Sequence, residues 1–226
     1  NSGTAGYFGG GQLYSGTKVD TVDKFDFSDD SRTTLGTGLS ANTRFLAGMA
    51  NSGTAGYFGG GRNGGLVDTV DKFAFSDDSR TTLGTGLSAA TQFLAGMANS
   101  GTAGYFGGGD TGSNEASELK VSTVDKFAFS DDSRSTLDPG LSASRSKSAA
   151  MANSGTAGYF GGGLEASEVD TVDKFAFSDD SRTTLGTGLS AATRILAAMA
   201  NSGTAGYFGG GYDGSSAVST VDKFAF

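Results

Sequence analysis

The chain contains no cysteine, no histidine and no tryptophan, and only one proline among 226 residues. Without cysteine there is no disulfide, no thiol nucleophile and no thiolate metal site, and the redox compartment is left open. Without histidine the commonest general base and the commonest metal ligand are both missing. No apolar run approaches the length that spans a bilayer, so membrane insertion is not expected. Positive charge is also scarce. Sixteen Lys and Arg stand against 24 Asp and Glu, a formal charge of −8. Nucleic acid is not an expected partner, because binding phosphate needs a cationic surface.

What is present is glycine, 39 residues of it, with hydrophobic residues at only 36%. Such a balance would favour disorder if the apolar residues were scattered. They are not. Of 17 Phe, 15 occupy three repeated positions, and five of seven Tyr occupy one. Aromatics at fixed intervals imply a folded core. The repeating phrase is GTAGYFGGG, which occurs without substitution at Gly3–Gly11, Gly53–Gly61, Gly101–Gly109, Gly155–Gly163 and Gly203–Gly211. Its spacings of 50, 48, 54 and 48 residues fit a propeller blade of four strands.

Each unit divides into four extended segments separated by turn signals. Segment a is of the type Phe45–Ala50, rich in small residues, and Asn51-Ser52-Gly53 after it reads as a tight turn. Segment b is Ala55–Gly60, where glycine permits close backbone approach. Segment c is Thr69–Phe75, whose alternation puts Phe73 and Phe75 on one face and Val70, Lys72 and Ala74 on the other. The turn Ser76–Ser79 leads to segment d, Arg80–Leu87. Pro139 falls in one copy of d and implies an outer edge strand there. The chain opens on b and closes on c, giving 18 strands. The expectation is a single domain over 1–226 with units near 1–50, 51–98, 99–152, 153–200 and 201–226. It is an all-β, five-bladed propeller of four-stranded antiparallel blades, with the first and last blades incomplete. A further half-repeat like Ser178–Ala200 would supply the missing d and a strands and close the ring; self-association is the alternative.

The strand ending in Tyr57-Phe58-Gly59-Gly60, the aromatic strand with Phe73 and Phe75, and Arg44 and Arg194 before segment a together resemble kelch repeats over the whole chain. The Trp expected in strand d of that pattern is absent, and its usual Tyr in strand c is Phe here. Arrays of this style are similar to those of cyanobacterial surface proteins and phage tail proteins. The resemblance implies a propeller at an extracellular surface or in a virion.

The five copies diverge on one rim, formed by the b–c and d–a connections, while SDDSR and NSGTAG repeat on the other. That rim is the candidate working surface, with loop tolerance of change as the plain alternative. Arg44, Arg62, Gln92, Arg145, Lys147 and Arg194 are its candidate ligand contacts, with Tyr14 and Tyr212 as aromatic platforms or locally packed rings. The expected function is a non-catalytic binding or adhesion module for a glycan or protein ligand. The alternative is a structural repeat of a filament, sheath or virion. No cofactor and no metal are expected: the Asp77-Asp78 pairs supply too few ligands for Ca²⁺ and read as turn chemistry. Asp71 and Lys72 point to opposite faces and cannot converge on a substrate; the Lys stem is expected to cover apolar surface with its head in solvent. With no nucleophile context, no enzyme is expected; carboxylates on the variable rim leave a glycosidase as a distant third reading. The glycine run lacks the following helix that a phosphate loop requires.

Overall fold

Side-chain alternation in the strands decides how the repeats stack. The computed structural model describes residues 3–113, 117–201 and 203–226, and they form five antiparallel sheets arranged as propeller blades. Blade 1 holds β1 (Ala5–Gly9), β2 (Val22–Asp26) and β3 (Arg32–Thr34). Blade 2 holds β4 (Ala47–Asn51), β5 (Ala55–Gly59), β6 (Val70–Ala74) and β7 (Arg80–Thr82). Blade 3 runs through β8 (Ala95–Asn99), β9 (Ala103–Gly107), β10 (Val124–Ala128) and β11 (Arg134–Thr136). Blade 4 runs through β12 (Ala149–Asn153), β13 (Ala157–Gly161), β14 (Val172–Ala176) and β15 (Arg182–Thr184). Blade 5 holds β16 (Ala197–Asn201), β17 (Ala205–Gly209) and β18 (Val221–Ala225). The first and last sheets have three strands and the others four, as the repeat arithmetic predicts. The innermost strands β4, β8, β12 and β16 pack side by side around the axis.

Two details differ from expectation. Strand d is only three residues long, because after Thr82 the chain turns inward and Leu87 becomes buried, its N–H bonded to Asp68 O. Pro139 therefore lies beyond β11, in a bend, and not on an edge strand.

The core lies between blades. In blade 2, Met49, Tyr57 and Lys72 align across β4, β5 and β6, and so share one face. Phe58 and Asp71 align on the opposite face, which Phe73 and Phe75 also occupy by alternation. One face of each blade thus meets the other face of the next, and four apolar clusters fill the four junctions. Each Tyr stacks on the second Phe of segment c in the following blade: Tyr7 on Phe75, Tyr57 on Phe129, Tyr105 on Phe177 and Tyr159 on Phe226, with ring centroids 4.9–5.4 Å apart. Such pairs add about 0.5–1.5 kcal/mol beyond the area they bury. From blade 2 onwards the Phe beside the Tyr points backwards instead and lies against a glycine of the preceding blade. A Cβ on Gly107 would sit 2.6 Å from the Phe160 ring. Glycine there is a condition of the packing.

Polar contacts follow the same rule. Asp132, in the turn of blade 3, accepts from Tyr57 Oη at 2.8 Å and from Lys72 Nζ at 2.7 Å. Asp78 receives Tyr7 and Lys24 in the same way, and Asp180 receives Tyr105 and Lys126. Burial, together with donation to these carboxylates, pushes the Tyr57 and Tyr105 hydroxyls well above the usual tyrosine range. The heads of Lys24, Lys72 and Lys126 are therefore inter-blade ion pairs and do not simply reach solvent, because the second Asp of an SDDS turn stands opposite each of them. The first Asp of the turn does the turn chemistry: Asp77 Oδ1 accepts the Ser79 N–H at 3.0 Å.

Substituting Gly107→Ala should lower stability by about 1–3 kcal/mol through overpacking against Phe160. Gly48→Ala, where a Cβ meets nothing closer than 3.5 Å, should stay within about 0.5 kcal/mol of the parent in the same denaturant titration.

Candidate functional site

The d–a connections bring the chain to the axis, and there it is strained. Phe45, Phe93, Lys147 and Ile195 each precede an innermost strand by two residues, and all four have positive φ, between 56° and 61°. For aromatic and β-branched residues this left-handed conformation costs about 1–3 kcal/mol each. A hydrogen-bonded collar holds them. Phe93 N donates to Phe45 O at 3.0 Å, Lys147 N to Phe93 O at 2.9 Å, and Ile195 N to Lys147 O at 2.8 Å. The collar links four blades at the mouth of the axis, on the face that carries the divergent connections.

Its side chains form a compact group. The Phe45 and Phe93 rings lie 4.2 Å apart and tilted by 33°. The Arg44 guanidinium sits 4.4 Å from the Phe45 centroid, and Lys147 Nζ 4.9 Å from that of Phe93. Lys147 also bonds Glu118 Oε1 at 2.6 Å, and Lys120 bonds Glu118 Oε2 at 2.8 Å. Partial burial works to raise the Glu118 pKa, but the two ammonium groups outweigh it and hold the carboxyl below the usual glutamate range. Beneath the collar, Gln92 Nε2 donates to the buried Asp110 Oδ2 at 3.0 Å. Gln92 Oε1 and Ser146 Oγ are buried there with no hydrogen-bond partner, a costly state that native interiors usually avoid.

The expected contacts fall into three groups. Arg44, Lys147 and, more peripherally, Arg62 lie at the mouth. Arg44 donates to Gln12 Oε1, and its backbone is bridged to that of Arg62, which donates to Ser113 O at 2.7 Å. Arg194 and Tyr212 form a second pair, with the guanidinium 5.1 Å from the ring and Nε 3.2 Å from Glu168 Oε1. Tyr14 stands fully exposed on the Gln12–Lys18 loop and joins neither group. Gln92 and Arg145 are corrected: both are buried and present nothing to solvent, Gln92 because it pairs with Asp110, Arg145 because it pairs with Asp173.

Arg145 replaces Thr43, Thr91 and Thr193 of the other connections, and Ser148 replaces Leu46, Leu94 and Leu196. At the other junctions those threonines and leucines line cavities of only about 10–20 Å³. Here the guanidinium bonds the corresponding lining groups, Asp173 Oδ2 at 2.8 Å, Phe160 O at 3.3 Å and Ser142 Oγ at 3.4 Å. Burial works against the Asp173 carboxylate, but Thr184, Ser142 and the Arg145 charge hold its pKa below the ordinary aspartate value. Sequence reasoning missed Phe45 and Phe93, although a signal exists: they are the two Phe outside the three repeated positions. Glu118 carries no such signal, because only the fold brings it to Lys147.

No family model matches the chain, and no curated protein matches it. Among solved structures, the chain is similar to that of YjhT, with a TM-score of 0.76 at 14% identity, over 95% of this chain and 76% of that one. The likeness establishes the fold. It also changes three expectations. The assignment to kelch-like arrays of cyanobacterial surface or phage tail proteins gives way to a five-bladed propeller structurally close to YjhT. The readings as a purely non-catalytic adhesion module and as a structural repeat of a filament, sheath or virion are withdrawn with that assignment. The expectation that the chain is no enzyme is not retained either.

Arg145→Thr alone should cost about 2–4 kcal/mol, because a cavity opens that neither a guanidinium nor a leucine fills. Adding Ser148→Leu reproduces the arrangement of the other junctions and should recover most of that loss in thermal or denaturant unfolding.

Proposed function

We propose that the chain is a carbohydrate-handling protein, with a sugar held at the axial mouth of the divergent face of the propeller. The observation that carries this reading is the strained collar, which sets the Phe45 and Phe93 rings beside the Arg44 and Lys147 cations. Backbone strain persists only where surrounding structure enforces it, and it concentrates at functional sites. An aromatic pair offers an apolar platform to the C–H face of a sugar ring, while adjacent cations donate to hydroxyl or carboxylate oxygens.

A surface built this way suits a ligand with one apolar face and several hydroxyls, and its positive groups favour a sugar bearing an acid. Where turnover occurs, Glu118 is the carboxylate at hand. It is held ionised by Lys147 and Lys120, which fits a base or nucleophile better than a proton donor. The net charge of −8 continues to argue against nucleic acid. Among the described residues no helix is long and apolar enough to cross a membrane.

A glycan array and a panel of chromogenic glycosides test the reading. Binding of at least one acidic sugar class is expected, and Phe93→Ala or Lys147→Ala should weaken it about tenfold or more, the loss of a desolvated aromatic or charged contact. Tyr14→Ala should leave binding intact, and Glu118→Gln should abolish cleavage of any glycoside that the parent hydrolyses. No binding across the array, or equal binding by the Phe93 and Lys147 variants, would sink the proposal.

A further inference from the structure

The b–c connection of blade 2 carries an asparagine followed by two glycines. Arg62 pairs with Leu66, which leaves Asn63, Gly64 and Gly65 as the turn, closed by the Asn63 N–H on Gly65 O at 3.1 Å. All three are exposed, and the Asn63 side chain enters no hydrogen bond or ion pair among the described residues. A Cβ on Gly64 would meet nothing within 4 Å. The Gly64 nitrogen is therefore screened by no side chain, and glycine's wide conformational range lets it approach the amide carbon of Asn63.

Comparable groups elsewhere are restrained. Asn51, Asn99 and Asn153, each before a serine in an a–b turn, are buried. Their Oδ1 atoms accept the N–H of Gly101, Gly155 and Gly203, all at 2.8 Å. Asn42 is exposed, but the branched Cβ of Thr43 crowds the nitrogen that follows it. Asp213 takes the position of Asn63 in blade 5 and also precedes a glycine, Gly214. Its carboxylate is tethered, accepting from Ser216 N, Ser215 N and Ser215 Oγ at 2.7–2.8 Å. The Ser216 N–H and then Ser215 hold its pKa down to about 2, so it stays ionised and resists attack by a nitrogen.

We infer that Asn63 is a site of spontaneous covalent modification, at which the folded protein turns an amide into a carboxylate on its divergent face. The Gly64 main-chain nitrogen bonds to Asn63 Cγ, and the side-chain nitrogen leaves as ammonia, taking the proton that the Gly64 nitrogen gives up. Water then opens the resulting cyclic imide at either carbonyl, leaving an aspartyl or an isoaspartyl residue. The fold accepts a carboxylate here, since Glu165 and Asp213 occupy this position in blades 4 and 5. Glu165 keeps the same turn, its N–H on Ser167 O at 2.9 Å. The new charge arises next to Arg62 and beside Lys18, whose Nζ already donates to Asn63 O at 3.1 Å. The aspartyl product thus lowers the positive charge of this stretch of the rim. The isoaspartyl product also lengthens the main chain inside the Arg62–Leu66 pairing.

The test ages the whole folded chain at neutral pH and physiological temperature, with a parallel sample in urea. Peptide mapping by mass spectrometry reads amide loss, and methylation by an isoaspartyl methyltransferase reads the isoaspartyl product. In the folded chain Asn63 should react about a hundredfold faster than Asn51, Asn99 and Asn153, which are released only by local opening. In urea the turn asparagines lose that protection and the gap should narrow. Gly64→Ala should slow the reaction at Asn63 about tenfold by restricting the attacking nitrogen. Asn63→Asp should co-elute on anion exchange with the acidic species that the aged parent develops. Four results overturn the inference: Asn63 intact in the folded chain while it reacts in urea, equal folded-state rates at Asn63 and Asn51, an unchanged rate in Gly64→Ala, or isoaspartate forming at Asp213 ahead of Asn63.

Discussion

The structure depends on two adjacent aromatic side chains that point in opposite directions. In a strand, neighbouring residues face opposite sides of the sheet, so the Tyr of each glycine phrase reaches forward to the next blade while the Phe beside it reaches back to the previous one. Tyr57 stacks on Phe129 and donates to Asp132 of blade 3, whereas Phe58 lies against Gly9 of blade 1, where a Cβ would meet its ring at 3.0 Å. Only glycine at that receiving position lets the ring approach. The phrase is repeated without substitution because its parts meet one another: the Tyr-Phe pair of one copy requires the glycine of another.

This arrangement frees the divergent face. The blade junctions are satisfied mainly by strands b and c and by the SDDS turns. The d–a connections add buried leucines such as Leu87 and Leu94, or Arg145 in one copy, while their other positions and the b–c connections can differ. They are nevertheless not loose. The collar ties four of them together with main-chain hydrogen bonds, at the cost of four residues in left-handed conformation. A mouth held in this way is pre-organised: its rings and cations need little reordering on contact with a ligand, which reduces the entropic cost of binding.

The architecture was legible in the sequence because period and composition reported on it directly. Aromatics at three fixed positions, four turn signals per unit and the b-to-c chain ends led to 18 strands in five blades. The shortness of strand d was not legible, since Thr and Gly in Arg80–Leu87 read as extended chain whether or not they pair. The site was harder still. Arg145 looked like a surface cation because charge is normally exposed, and its burial became clear only with Ser148, whose small side chain leaves the room that the guanidinium takes. Glu118 becomes part of the mouth through a contact with Lys147, 29 residues away in sequence. The kelch-like features belong to the blade junctions, so they led to the propeller, which the structure shows, but not to the role.

Four junctions share one chemistry, so stability accumulates link by link. Blades 2, 3 and 4 each take part in two of them, and the collar residues Phe45, Phe93 and Lys147 stand two residues before the innermost strands of these three blades. The mouth of the divergent face is therefore mounted on blades gripped from both sides.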